Sequence, residues 1–337
     1  MNLVTGATGL LGSHIVEQLL EANQPVTCLV RPTSRTDWLR RLGVKLVVGD
    51  LTGADALHRA LRGVEVAYHA AARVGDWGDW HDFERDCIRA THNLLRAAHR
   101  AGVARLIYIS STSAYGHPEK DEPITEDHPL GRQFWVWDYY TRAKVLTEQL
   151  VWDFYHKTGL PITVIRPSWL YGPRDRTSIF RLVRSLRSGS AMLVGDGNNR
   201  LNCVYAGSVA RACILASRNP RACGQAYNVT NDGEITQRQF FELFARELGC
   251  DPPRMTVPYP LAFTAAFVLE AAYRMVRASY PPFVTRYAVW LLGRNTCYST
   301  TKAESQLGWR PVVTYEEGIR RTVQWYLQIS QNNGERV

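Results

Sequence analysis

The sequence predicts an α/β protein with a doubly wound parallel sheet and a smaller C-terminal lobe. Three observations carry this. Short β-branched runs alternate with helical patterns through the first half, a glycine turn follows the first run, and the rhythm changes after Pro167. Strands are expected at 1–4, 26–30, 45–48, 66–69, 105–110 and 162–166. Helices are expected at 12–22, 55–61, 87–100 and 138–156, the last of them long. Residues 1–168 form the expected dinucleotide-binding lobe, with 204–230 returning to it, and 169–337 make up most of a substrate lobe.

Composition sets outer bounds. An apolar share of 45% with 21% charged residues fits a folded globular protein. The net charge of +9 is carried almost wholly by arginine, which reads first as solvated surface and second as affinity for an anionic ligand. No recognition-helix or basic-aromatic pattern points to nucleic acid. Seven cysteines without C-x-x-C spacing read as small buried hydrophobes in a reducing compartment, so a cytoplasmic location is expected. No histidine pairs with Cys, Asp or Glu at metal-ligand spacing, and no metal is expected. The apolar run 261–269 is too short to span a bilayer and is read as the roof of an apolar pocket. Membrane contact by 261–290 is left open and not predicted.

Gly6, Gly9 and Gly12 recur at three-residue spacing where a strand passes into a helix. Glycine there permits a tight turn, close approach of a pyrophosphate to the backbone, and close packing of helix on strand. The turn Gly6, Thr8, Gly9, Leu10 and Leu11 is therefore assigned to a dinucleotide, with the helix N-terminus facing its phosphates. At the end of the second strand an acid would bind a ribose 2′-hydroxyl, and arginine would accept a 2′-phosphate. This chain has Arg31, Ser34 and Arg35 and no carboxylate, which favours NADP(H) over NAD(H). Asp50 and Leu51 follow the third strand and can reach the adenine, and Ala70, Ala71 and Ala72 after the fourth leave room for the cofactor.

Tyr140 and Lys144 stand four residues apart on the long helix and share a face. An ammonium beside a phenol favours the phenolate and prepares it for general acid or base work. Ser111, at a strand end, can hydrogen-bond an oxygen that gains or loses charge. The same spacing recurs at Tyr298 and Lys302, so context decides between them: only Tyr140 follows a hydroxyl-bearing strand inside the alternating region.

These residues resemble the extended short-chain dehydrogenase/reductases, the NAD-dependent epimerase/dehydratase superfamily. The resemblance runs over nearly the whole chain. It includes Thr5-Gly6-x-x-Gly9-x-x-Gly12, Asp50-Leu51, His69-Ala70-Ala71, Ser110-Ser111-x-x-x-Tyr115-Gly116, Tyr140-x-x-x-Lys144 and Arg166-Pro167-x-x-x-Tyr171-Gly172-Pro173. It implies a Rossmann-type nucleotide lobe, Ser111 as the catalytic hydroxyl, Lys144 as a ligand of the nicotinamide ribose, Pro167 and Ser168 beside the cofactor, and a homodimer. Sugar-nucleotide dehydratases of this kind carry Asp-Glu where this chain has Thr112 and Ser113. Epimerases carry asparagine where it has Trp169, and a later Arg-Asp-aromatic element where it has Leu201-Asn202-Cys203. Cys87 replaces an asparagine that supports a proton relay. The loop from Ala72 to Gly78 and the aromatic-rich stretch 263–290 look instead like 3β-hydroxysteroid dehydrogenase-type enzymes and reductases of long-chain β-keto acids.

Trp77, Trp80, Phe134, Trp135 and Trp137 flank the expected site and could wall an apolar pocket; Trp77, Thr112 and Trp169 are assigned to substrate. Arg181, Arg184 and Arg187 read as a solvated helix face, with phosphate binding as the rival. The expected function is interconversion of a secondary alcohol and a ketone on a sterol-like or acyl-like substrate, with an NAD-retaining nucleotide-sugar 4-epimerase as the alternative.

Overall fold

The computed structural model describes residues 1–118 and 122–332. The first half runs β1 (Asn2–Thr5), α1 (Leu10–Glu21), β2 (Val26–Val30), α2 (Asp37–Arg41), β3 (Lys45–Val48), α3 (Ala54–Leu61), β4 (Val66–His69), α4 (Trp80–Phe83), α5 (Ala90–Arg100), β5 (Arg105–Ile109), α6 (Tyr139–Thr158) and β6 (Ile162–Pro167). The second runs β7 (Trp169–Tyr171), α7 (Ser178–Arg187), β8 (Met192–Val194), β9 (Cys203–Tyr205), α8 (Ala206–Arg218), β10 (Ala226–Val229), α9 (Gln237–Leu248), β11 (Met255–Val257), α10 (Tyr259–Met275), α11 (Arg286–Gly293), α12 (Thr301–Leu307) and α13 (Tyr315–Asn332).

Seven parallel strands form the main sheet in the order β10-β6-β5-β4-β1-β2-β3. Strand order reverses between β1 and β4, whose C-terminal ends pair as Thr5 with His69. In open parallel sheets that reversal opens a crevice for ligands beyond the strand ends. The fold is the expected doubly wound one, and the expected elements differ from those observed mainly at their ends. The largest departure lies before α5, where residues Glu84–Arg89 form a π-helical segment in place of the first turn of a continuous helix. Cys87 sits in this segment, which re-aims the chain beside α6.

Helices cover the sheet on both faces. On one, Ile15, Val16 and Leu19 of α1 pack with Val209, Cys213 and Ile214 of α8. On the other, Leu57 and Leu61 of α3 pack with Leu94, Leu95 and Val151 of α5 and α6. Near-continuous burial of β1, β2 and β6 follows from this double cover. A separate core of Tyr171, Ile179, Phe240, Phe244 and Tyr315 holds the second lobe. The chain crosses between them: β10 completes the main sheet, and Trp309 is fully buried in the first core.

Candidate active site

Steric demands at the β1–α1 turn are severe. Gly6 has φ +71°, and a Cβ there would stand 2.7 Å from the backbone of Ala70 and Ala71. A Cβ on Gly12 would stand 2.2 Å from the Gly6 carbonyl oxygen. A side chain at Gly6 would collide with the backbone after β4, and one at Gly12 with the turn itself. The turn is also tied from below. Thr5 Oγ1 meets His69 Nδ1 at 2.8 Å, His69 Nε2 meets Thr91 Oγ1 at 2.9 Å, and the Ala71 amide donates to Thr5 Oγ1 at 3.3 Å. Burial, with Lys144 adding a smaller push, lowers the His69 imidazole to about 3, so it is a neutral strut. The glycine cradle and the free amides at the start of α1 fit a dinucleotide pyrophosphate.

Arg31 and Arg35 are exposed just past β2. Asp50 lies past β3 with its carboxylate accepting from Thr52 backbone (2.8 Å) and hydroxyl (2.7 Å). Burial alone would raise that carboxyl; the Thr52 bonds, with the charges of Arg31 and Arg85, hold it below its usual range. The Leu51 carbonyl accepts from Asn93 at 3.3 Å, and the Ser168 hydroxyl donates to the Thr230 carbonyl.

The α6 helix carries three consecutive i, i+4 positions against the end of β5. Asp138 caps it, accepting from the Thr141 amide at 3.2 Å, and so fixes the first turn, which holds Tyr140. One turn on, the buried Lys144 ammonium donates to the carbonyls of Ser110 (3.3 Å) and Ile109 (3.5 Å) and stands 6.0 Å from the Tyr140 ring centre. A turn further, Glu148 accepts from the Ser110 hydroxyl and from Arg166 Nε at 2.9 Å. Arg166 in turn donates to Tyr115 OH at 2.7 Å. One helix face thus binds the strand end on which Ser111 sits.

Ser111 begins a short 3₁₀ turn, accepting from the Ser113 amide and donating to the Ser113 hydroxyl, each at 3.1 Å. Ser113 Oγ is 2.9 Å from the hydroxyl of Tyr287 on α11, whose ring meets that of Tyr140 edge-on at 5.5 Å. Three hydroxyls therefore form a chain that starts at Ser111 and ends against Tyr140. Burial pushes the Tyr287 phenol well above its ordinary value, so it stays protonated.

Aromatic rings from both lobes surround this point. Trp135 stacks on His117 at 3.6 Å and meets Phe263 edge-on, and Trp137 stacks on Phe267. His117 also hydrogen-bonds Asp138. The Trp77 indole donates to the Ala278 carbonyl at 3.1 Å, and Arg274 lies over the rings of Trp77, Trp137 and Tyr139. Among the described residues no group of three His, Cys, Asp or Glu side chains is placed to hold a metal.

Most of the expected cofactor positions gather at the crevice rim, on β1–α1 and past β2, β3, β4 and β6. Other expected residues lie elsewhere. Trp169 is packed in the second core, its indole donating to Ser178 at 3.0 Å and its ring 5.5 Å from Phe240. Thr112 is buried and bonds Tyr298. That tyrosine precedes α12, whose Lys302 reaches the Tyr227 ring, so the rival Tyr298/Lys302 pair does not share a helix face. Arg200 pairs with Glu234 at 3.0 Å. Sequence reasoning missed Glu148, Ser113 and Tyr287. Glu148 was within reach, since it continues the Tyr140–Lys144 spacing by one more turn.

With this geometry in hand, comparison with known proteins is decisive. A model of the NAD dependent epimerase/dehydratase family matches residues 2–230. The chain belongs to that family. A 2-alkyl-3-oxoalkanoate reductase of Shewanella oneidensis is 28% identical over 329 residues, covering 94% of this chain and 84% of that protein. A decarboxylating sterol-4-alpha-carboxylate 3-dehydrogenase of Mus musculus is 31% identical over 329 residues, covering 95% and 89%. The crystal structure of dTDP-glucose 4,6-dehydratase from Streptomyces venezuelae, with NAD bound, superposes with a TM-score of 0.78 at 25% identity and covers 98% of each chain. Within the family, this chain is an NAD(P)-dependent oxidoreductase of the extended short-chain dehydrogenase/reductase type.

Proposed function

We propose that this enzyme interconverts a secondary alcohol and a ketone on a largely apolar, sterol-like or acyl-like substrate. The observation that carries the reading is the meeting of Tyr140 and Lys144 on one face of α6 with the Ser111 strand end, walled by Trp135, Trp137 and Tyr287. In the oxidative direction Tyr140 accepts the hydroxyl proton, Ser111 orients the oxygen, and Lys144 steadies the phenolate and holds the nicotinamide ribose. A nicotinamide held by the glycine turn and Lys144 would supply the acceptor for the hydride leaving the carbinol carbon, and in reduction Tyr140 would return the proton to the same oxygen. Trp77 contributes to the substrate side, whereas Thr112, held by Tyr298, and Trp169, through the packing of β7, act only from behind.

NADP(H) is the proposed cofactor, with Gly6, Thr8, Gly9, Leu10 and Leu11 around the pyrophosphate and Arg31, Ser34 and Arg35 around a 2′-phosphate. Exposed arginines past β2, with Asp50 past β3 engaged by Thr52, support this choice. Residues 1–168 with 204–230 are proposed as the cofactor lobe and most of 169–337 as the substrate lobe. Seven free cysteines support the proposed cytoplasmic location, and assembly as a homodimer is proposed from the family resemblance.

Purified enzyme should oxidise NADPH in the presence of medium- and long-chain ketones, with higher kcat/KM for NADPH than for NADH. Tyr140→Phe should lose turnover by about a thousandfold or more, in the range of a positioned acid/base and its hydrogen bond, while binding NADPH normally. Turnover of nucleotide sugars without added cofactor, or undiminished turnover by Tyr140→Phe, overturns the proposal.

A further inference from the structure

The α10 helix has two apolar faces, and the fold covers only one. Ala266 is buried beside Val289, and Phe263 packs against Trp135. Along the opposite side Leu261, Ala265, Val268, Ala272 and Met275 recur at three- and four-residue spacing and are exposed, Met275 at 82%. The stripe continues past the helix through Val276, Tyr280 and Phe283, each at least 64% exposed. An apolar strip of this length on a chain without other cover marks an interaction surface.

Charge narrows the partner. Glu270 is the only carboxylate between Pro252 and Ala303. It is buried, paired with Arg286 at 2.6 Å, and so offers nothing to the surface. Arg277 stands exposed within the strip, while Arg254, which precedes it, faces Asp251 at 3.9 Å. A second copy docked face to face by a two-fold axis would bring Arg277 toward its own equivalent with no exposed acid on the strip to pair it. An apolar strip that carries the exposed Arg277 and no exposed carboxylate of its own suits the boundary between anionic headgroups and acyl chains.

We propose that α10 and the segment to Phe283 dock in the plane of an anionic lipid bilayer. Leu261, Val268, Met275 and Phe283 enter the acyl boundary, and Arg277 meets the headgroups. No described helix is long and apolar enough to cross a membrane, so the contact is peripheral. The same segment borders the site: Ala278 receives the Trp77 hydrogen bond, and Arg274 lies over Tyr139, next to Tyr140. An apolar substrate can then pass from lipid to the Tyr140 region without crossing bulk water. That consequence rests on the proposed function, and the docking itself does not.

The test is co-sedimentation of the full chain with phosphatidylcholine vesicles, with and without phosphatidylglycerol. Binding should appear with the anionic vesicles and weaken about tenfold or more when phosphatidylglycerol is omitted, or in Val268→Asp/Met275→Asp and in Arg277→Glu. Circular-dichroism melts of the variants should match the parent, since the substituted side chains are exposed. Absence of vesicle binding, or equal binding by the double variant, overturns the proposal. So does a parent dimer in light scattering that the double variant dissociates, because a second copy then covers the strip. Lipid binding is read without turnover, so failure of the catalytic reading leaves this result standing.

Discussion

At Tyr287 the two lobes meet at single-atom resolution. Its hydroxyl reaches Ser113, Ser113 holds Ser111, and its ring leans on Tyr140, so one side chain orders two of the three proposed catalytic groups. Tyr287→Phe keeps the ring contact and removes the end of the hydroxyl chain. Losing a buried partner costs about 1–3 kcal/mol, or roughly five- to a hundred-and-sixtyfold if it falls on the transition state. The expected outcome in steady-state kinetics is a fall of about that size in kcat, with NADPH affinity unchanged. A change confined to NADPH affinity would place Tyr287 outside the reacting site. His69 makes a second prediction from its burial. The unfolded chain takes up a proton near 6.5, and the native imidazole resists until about 3. Stability drawn from the neutral ring is therefore intact above 6.5 and lost as pH falls toward 3. His69→Gln retains hydrogen-bonding groups but does not titrate, so urea melts of the variant between pH 7 and pH 4 should lose stability less steeply than the parent.

Elements show which parts of the site a sequence can reveal. The glycine turn and the Tyr140–Lys144 pair depend on contacts three or four residues apart, and helical periodicity exposes such contacts directly. Glu148 obeys the same spacing and was hidden only because a glutamate on a helix has a simpler reading as solvated surface; it is fully buried. Tyr287 lies 174 residues from its Ser113 partner, and no local pattern encodes that pairing. The π-helical segment at Glu84–Arg89 was equally silent, because its residues are ordinary helix formers. The apolar run at 261–269 was legible as apolar but not as two-faced, since its facing depends on where α11 packs. That packing is fixed by Glu270 of α10, which accepts from the Arg286 amide at 2.7 Å and from Arg286 Nε at 2.8 Å at the start of α11. Glu270→Gln leaves a buried guanidinium without its counter-charge and should destabilise the protein by about 3–5 kcal/mol in urea melts. Adding Arg286→Met should recover much of that loss, because the pair's burial cost disappears with both charges.

On the scale of the whole molecule, the lobes are distinct cores on an interleaved chain. After the chain has already built part of the second lobe, α8 packs on the sheet beside α1, β10 joins the main sheet, and Trp309 returns to the first core from near the C-terminus. Its indole donates to the Ser208 carbonyl at 2.9 Å and it is 1% exposed, locking the segment after α12 onto α8. Such interleaving means neither lobe can lose its packing without exposing segments that the other needs. Trp309→Ala opens a cavity and removes the indole's bond to the Ser208 carbonyl, a change worth about 3–5 kcal/mol. If the lobes unfold together, equilibrium urea denaturation followed by far-ultraviolet circular dichroism and by tryptophan emission should give one coincident transition, shifted to lower urea with an unchanged slope. Two separated transitions, with only the earlier one moved by Trp309→Ala, would show instead that the second lobe stands by itself. In the cooperative case NADPH, which is proposed to touch only the first lobe, should raise the melting point reported by probes in both.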